Sequence, residues 1–237
     1  MEIIHLHPIL LIILVILLAL IRYGFEKLVS RIFKLIPIER TSVQLFTRGV
    51  ILIFFNIAVL ALFSLLKAGL FTFAEPRTGM IILAVGLGFG ITLALLSILA
   101  IKAGFGGGYN SLASVSSLDK SLTLATFILL AGPSEDIFFI GFAQNTLTQS
   151  LGWGAIIFYL LLFVVYHYAN VISGVETKQE FFRMLPIRLI VSFLLSLSFY
   201  LTKTLVYGII VHNLIDTLSY VALLYAVSRM HKRISPA

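Results

Sequence analysis

The chain has 237 residues, 60% of them hydrophobic and 11% charged, with a formal charge of +7. A soluble domain of this size could not cover so much apolar surface. The chain therefore reads as one lipid-embedded all-α domain, 1–237, with room for about six to eight spans and no separate soluble unit. The absence of cysteine excludes disulfides, thiolate metal sites and cysteine nucleophiles. The basic residues sit at the ends of apolar runs rather than on one soluble face, which points to membrane topology and away from nucleic acid.

Ile3–Ile21 predicts the first membrane helix, since Met1-Glu2 lacks the basic stretch and cleavage site of a secretory signal. Tyr23–Gln44 is mixed, with Lys27, Arg31, Lys34 and Arg40 at roughly helical spacing. It reads as an interfacial amphipathic helix broken at Pro37. Gly49–Leu66 and Thr78–Ile101 carry no charge and form the second and third spans. The cluster Gly86, Gly88, Gly90 has the look of a nucleotide fingerprint, but inside an apolar run it serves close helix approach. Lys102–Lys120 is a Gly/Ser-rich connector suited to a mobile or re-entrant loop. Ser121–Gln149 predicts a fourth span kinked at Pro133. Leu151–Gly174 predicts the fifth, anchored at the interface by Trp153. Met184–Thr202 and Thr204–Ser228 predict the sixth and seventh, parted at Lys203. The expected fold is thus a polytopic bundle of about seven transmembrane helices plus one interfacial helix. Of the 17 Lys and Arg residues, only Lys67, Arg77 and Lys203 fall in the alternate connectors. All others, with Arg22 and Arg188 counted as connector residues, lie in the odd connectors and the tail, which places the amino terminus outside and the carboxyl terminus in the cytoplasm.

The chemistry concentrates at Gly132-Pro133-Ser134-Glu135-Asp136, where two adjacent acids follow a Gly-Pro break within an apolar run. A charge near the bilayer centre costs about 2.5–3.5 kcal/mol on insertion scales, so such a group faces a cavity or a partner. Candidate partners are His167 on the fifth span and His212 and Asp216 on the seventh. The latter two are four apart and share a helix face. Phe163 stands in the same relation to His167. Each of these groups alone is what a hydrogen-bonded core residue looks like. Together, on three helices, they can take a proton from water, relay it and stabilise an oxyanion. Glu135, His167, His212 and Asp216 would equally serve as ligands to a divalent metal such as zinc.

In order, these residues resemble the CAAX protease and bacteriocin-processing (CPBP) intramembrane proteases, relatives of the type II CAAX prenyl endopeptidases, over about Ser121 to Ser228. That family carries EExxxR, FxxxH and HxxxN on separate membrane helices. Here Glu135 to Ile140 is similar to the first, Phe163 to His167 matches the second, and His212 to Asp216 is similar to the third. Three positions depart from the pattern: Asp136 for the second glutamate, Ile140 for the arginine and Asp216 for the asparagine. The resemblance implies a helical membrane protease in which Glu135, beside Asp136, activates water. His167 would assist, and His212 with Asp216 would stabilise the oxyanion. It also implies a membrane-associated or prenylated protein or peptide as substrate. Asp216 would act either as a neutral donor in place of the amide or, ionised, as a metal ligand. Two other classes fit the same residues. One is a non-catalytic family member, such as an immunity or scaffold protein. The other is a proton-coupled transporter, for which paired broken halves are expected and only the break at Pro133 is seen.

Overall fold

The computed structural model describes residues 7–35, 41–105, 115–172 and 176–234. Among these the chain is a helical bundle of α1 (Pro8–Leu35), α2 (Thr41–Leu62), α3 (Pro76–Ala100), α4 (Ser117–Leu129), α5 (Ala131–Asp136), α6 (Asn145–Leu151), α7 (Gly154–Ile172), α8 (Lys178–Thr202) and α9 (Val206–Ile234). A π-helical segment, Ile137–Gln144, joins α5 to α6. Among the described residues six helices are long and apolar enough to cross a membrane, and the count is seven if α4 with α5–α6, bent by 52°, is one broken span rather than a re-entrant loop. The outward faces are apolar, as lipid contact requires: Val165 is 68% exposed, whereas Phe163, two residues earlier on α7, is 4% exposed.

The stretch expected to form a separate interfacial helix does not do so. Tyr23 to Leu35 simply continues α1. Nothing between Ile21 and Leu35 breaks a helix, because Gly24 costs only about 1 kcal/mol there. Arg22, which the sequence places at the end of a span, is buried among partners inside the fold. The break expected at Pro37 lies outside the described residues, as do residues 106–114 of the Gly/Ser-rich connector; its described flanks are largely helical, Ile101–Phe105 as a π-helical turn and Ser117 onward as the start of α4. At roughly 1.5 Å per residue α1 outruns a hydrocarbon core of about 30 Å, so its basic end reaches the interface without a bend. α2 begins at Thr41, earlier than the sequence implies. Ser42 donates to Asp119 on α4, and Arg48 lies 3.6 Å from Glu26 on α1, so this polar first stretch has partners. Arg188 likewise belongs to α8, not to the connector before it.

The bend in the fourth span follows from its sequence. Pro133 has no N–H to give the carbonyl of Leu129, and its ring crowds that carbonyl. Helix α4 therefore ends at Leu129. The N–H of Gly132 turns outward and donates to Asn213 Oδ1 on α9 at 2.7 Å. Beyond the bend, Phe138, Phe139, Phe142 and Leu147 pack with Leu60, Tyr159 and Leu195 into the core. Gln144 adds polar attachment to α8, donating to Ser196 O at 2.9 Å and accepting from Ser196 Oγ at 2.8 Å.

Helices α3 and α9 run side by side in the same direction along a seam of small residues. A Cβ at Gly86 would meet Val211 at 2.5 Å and one at Gly90 would meet Leu218 at 3.0 Å, whereas one at Gly88 would meet nothing within 4 Å. Two of the three clustered glycines therefore serve packing. Gly79 is the tightest point, where a Cβ would fall 2.0 Å from Cζ of the buried Tyr207 ring. Gly79→Ala is expected to lower stability by about 1–3 kcal/mol, measured as thermal unfolding in detergent, because the ring has no free space to enter. Gly88→Ala, made alongside, should lose nothing.

Candidate active site

The acids stand at the inner end of the bend, where α5 passes into the π segment. Change of helical register frees a backbone carbonyl, and the one before the acids is held from outside. Ser134 O accepts from Arg22 Nη2 at 2.6 Å and from Asn56 Nδ2 at 2.8 Å. Arg22 Nε in turn donates to Asn56 Oδ1 at 3.2 Å. The guanidinium lies over the rings of Phe138, Phe139 and Tyr166 at 4.8–5.5 Å, so cation–π attraction replaces part of its lost hydration.

Asp136 points inward and is fully buried, with Oδ1 3.0 Å from His212 Nδ1. Because a carboxylate only accepts, Nδ1 carries the hydrogen and Nε2 faces away from Asp136. Asp216 Oδ2 lies 3.7 Å from that Nε2, beyond hydrogen-bond range yet close enough for a shared ligand atom to bridge them. His167 Nδ1 donates to Phe163 O at 2.9 Å, and the two rings pack tilted at 40° with centroids 4.2 Å apart. The tautomer is thereby fixed, leaving Nε2 of His167 free to accept a proton.

Two cavities meet at these residues. A polar one of about 180 Å³ is lined by Arg22, Glu26, Arg48, Ser134, Glu135, Tyr166 and Asp216 among others. A larger, mostly apolar one of about 770 Å³ is lined by Leu93, Leu96, Phe163, Val191 and Leu223, with His167, His212, Asp216, Arg183 and Arg188 at its polar end. Asp216 and Phe127 line both. The structure thus brings Asp136, His212 and Asp216 into one file, sets Glu135 and Asp216 around the small cavity, and sets both imidazoles with Asp216 around the large one. It does not gather Glu135, His167, His212 and Asp216 as a metal set: among the described residues no three His, Asp or Glu side chains converge closely enough to hold an ion.

Sequence reasoning missed several residues of this region. Arg22, Glu26, Asn56 and Tyr166 form its supporting side, and Arg188 enters the large cavity, paired with Glu176 at 2.8 Å. The available signals were Asn56, the only amide inside an otherwise apolar span, and the Arg22/Glu26 pair four apart on one helix face. Ile140, the departure from the family arginine, is 1% exposed within the apolar core.

The fold and the site define a polytopic helical membrane protein with buried acids and imidazoles around a bent helix pair. The family comparison agrees: residues 117–218 match the model described as Type II CAAX prenyl endopeptidase Rce1-like. The match covers the stretch from α4 to α9 that carries the three motifs, and over that stretch the chain is similar to this family. No curated protein and no solved structure matches the chain.

Proposed function

We propose that the protein is an intramembrane endopeptidase that hydrolyses a peptide bond of a membrane-associated protein or peptide. The observation that carries this reading is the meeting of the two cavities. Glu135 lines a polar space, and His167 and His212 line an apolar one wide enough for a lipid-borne chain. In this reading Glu135 takes a proton from water as the oxygen adds to the scissile carbonyl. The proton then passes to the leaving nitrogen, directly or by way of His167 Nε2, and the carbon–nitrogen bond breaks. Asp136 orients His212 and balances its charge, so that Nε2–H of His212 can donate to the oxyanion. Asp216 contributes a second donor when neutral. The cation absent at position 140 has its nearest substitute in Arg188, a residue lining the same cavity as the imidazoles whose Nη2 is held by Glu176 while its Nη1 has no hydrogen-bond partner among the described residues. It suits a substrate with an anionic end.

The test is cleavage by the purified protein in proteoliposomes, offered membrane-anchored peptides with prenylated and unprenylated ends. Cleavage of some member is expected. If every member of a broad library stays intact while the protein remains folded, the non-catalytic reading replaces this one.

Asp216 gives a sharper result. Asp216→Asn keeps the donor and removes the titration, so activity should survive and lose its decline as pH rises through the carboxyl's ionisation. Loss of activity with release of a stoichiometric metal ion would instead make Asp216 a ligand.

The orientation belongs to the same proposal. Removing Arg22 and Arg188 from the connectors still leaves the basic excess in the odd connectors and the tail. A cysteine replacing Ala237 is expected to resist an impermeant thiol reagent applied to intact cells. Prompt labelling would invert the topology.

A further inference from the structure

The large cavity is lined mainly by apolar side chains, whereas the small one is the more polar of the two in proportion. It is walled by Arg22, Glu26, Arg48, Glu135, Tyr166 and Asp216, six groups that donate or accept hydrogen bonds. These form a graded file from outside to inside. Arg48 is partly exposed, and its Nη1 lies 3.6 Å from Glu26 Oε1. Glu26 Oε2 accepts from the Tyr166 hydroxyl and lies 3.7 Å from Arg22 Nη1. Arg22 is 0% exposed, and its Nη1 has no hydrogen-bond acceptor in the protein, although it belongs to a residue that lines the cavity. A buried guanidinium N–H with a polar space beside it is what an ordered water satisfies. The volume, about 180 Å³, admits several such waters at roughly 30 Å³ each.

We infer that this chamber is the water inlet of the site, distinct from the apolar cavity that receives the substrate, and that Asp216 and Phe127, which line both, mark the place where water passes from one to the other. Every bond hydrolysed consumes one water. The large cavity cannot supply it once an apolar chain fills that space, whereas Glu135 borders the small one and meets water there. Charged residues at membrane depth line such routes because the route keeps them solvated. The inference takes its purpose from the hydrolase reading, but its test needs no turnover.

The chain has no cysteine, so single reporters can be read without background. Thr126→Cys on α4 and Leu52→Cys on α2 face the small chamber, and Leu93→Cys on α3 faces the large cavity. Each variant, in open membranes, is treated with a sulfonatoethyl methanethiosulfonate, an impermeant anion that reacts with thiolate. Both chamber reporters should label, and adding Leu45→Trp at the chamber wall should slow them about tenfold or more. Leu93→Cys should react about 100-fold more slowly, since a thiol in an apolar wall seldom ionises. Two chamber reporters keep the test open when one substitution unfolds the protein; inert thiols at both, in folded protein, would overturn the inference. So would labelling unaffected by Leu45→Trp, or equal labelling at Leu93→Cys, since water would then arrive through the large cavity. A protein that labels as expected yet cleaves nothing would keep the inlet and lose the protease reading.

Discussion

Glu135→Gln should lower the rate of peptide cleavage by about 10²–10⁴-fold, the usual contribution of a positioned general base. The substitution keeps the volume of the side chain and its ability to hydrogen-bond. It removes only the capacity to take a proton from water in the polar cavity that Glu135 borders. The fold should survive, because no described hydrogen bond of the core runs through this carboxylate. Asp136, by contrast, is bonded to His212. The measurement is single-turnover cleavage by wild type and variant in the same liposomes, with thermal unfolding as the control. Undiminished cleavage in the variant would remove Glu135 from the reaction and leave the imidazoles to find another base.

Arg22→Met should destabilise the protein by about 3–5 kcal/mol, the cost of breaking a buried charge network by removing one partner. Methionine approximates the length of the chain but gives up every polar contact. Ser134 O would lose its 2.6 Å bond, Asn56 Oδ1 its 3.2 Å donor and Glu26 the inner of its two cations. Arg22→Lys should recover part of the loss, since one ammonium can replace the charge but not the fork that reaches Asn56 and Ser134 together. Resistance to denaturation by detergent is the readout. Wild-type stability in Arg22→Met would mean that Asn56 alone holds the Ser134 carbonyl.

The long apolar runs were legible because lipid leaves so little choice. A span must bond its own backbone, and Gly49 to Leu62 or Thr78 to Ala100 can do nothing else. The site was legible where chemistry and spacing coincided, as in Phe163/His167 and His212/Asp216, four apart on one face. Reading failed where a residue's partner is remote in sequence. Arg22 ends an apolar stretch, and nothing near it in the chain shows that Asn56 and Ser134 will enclose it. For the same reason Tyr23–Gln44 reads as a separate interfacial helix, whereas Tyr23 to Leu35 continues α1. Arg188 was assigned to a connector for want of knowing that α8 starts at Lys178 under a capping box of Thr177 and Glu180. The kink at Pro133 was visible, but its correct location at Leu129–Ala131 depends on the Gly132 N–H finding Asn213.

That last bond has a mechanical consequence. Gly132 is fastened to Asn213 at 2.7 Å, and one helical turn further on Asp136 is fastened to His212 at 3.0 Å. Two rivets between adjacent residues of α9 and opposite ends of α5 suppress both sliding and twisting of one helix on the other. The acid turn and the imidazole turn must travel as a single plate, and a shift of α9 drags Glu135 with it. A bundle that parts to admit a long chain therefore has to yield elsewhere, among the helices on the far side of the larger cavity, while the reacting groups keep their spacing.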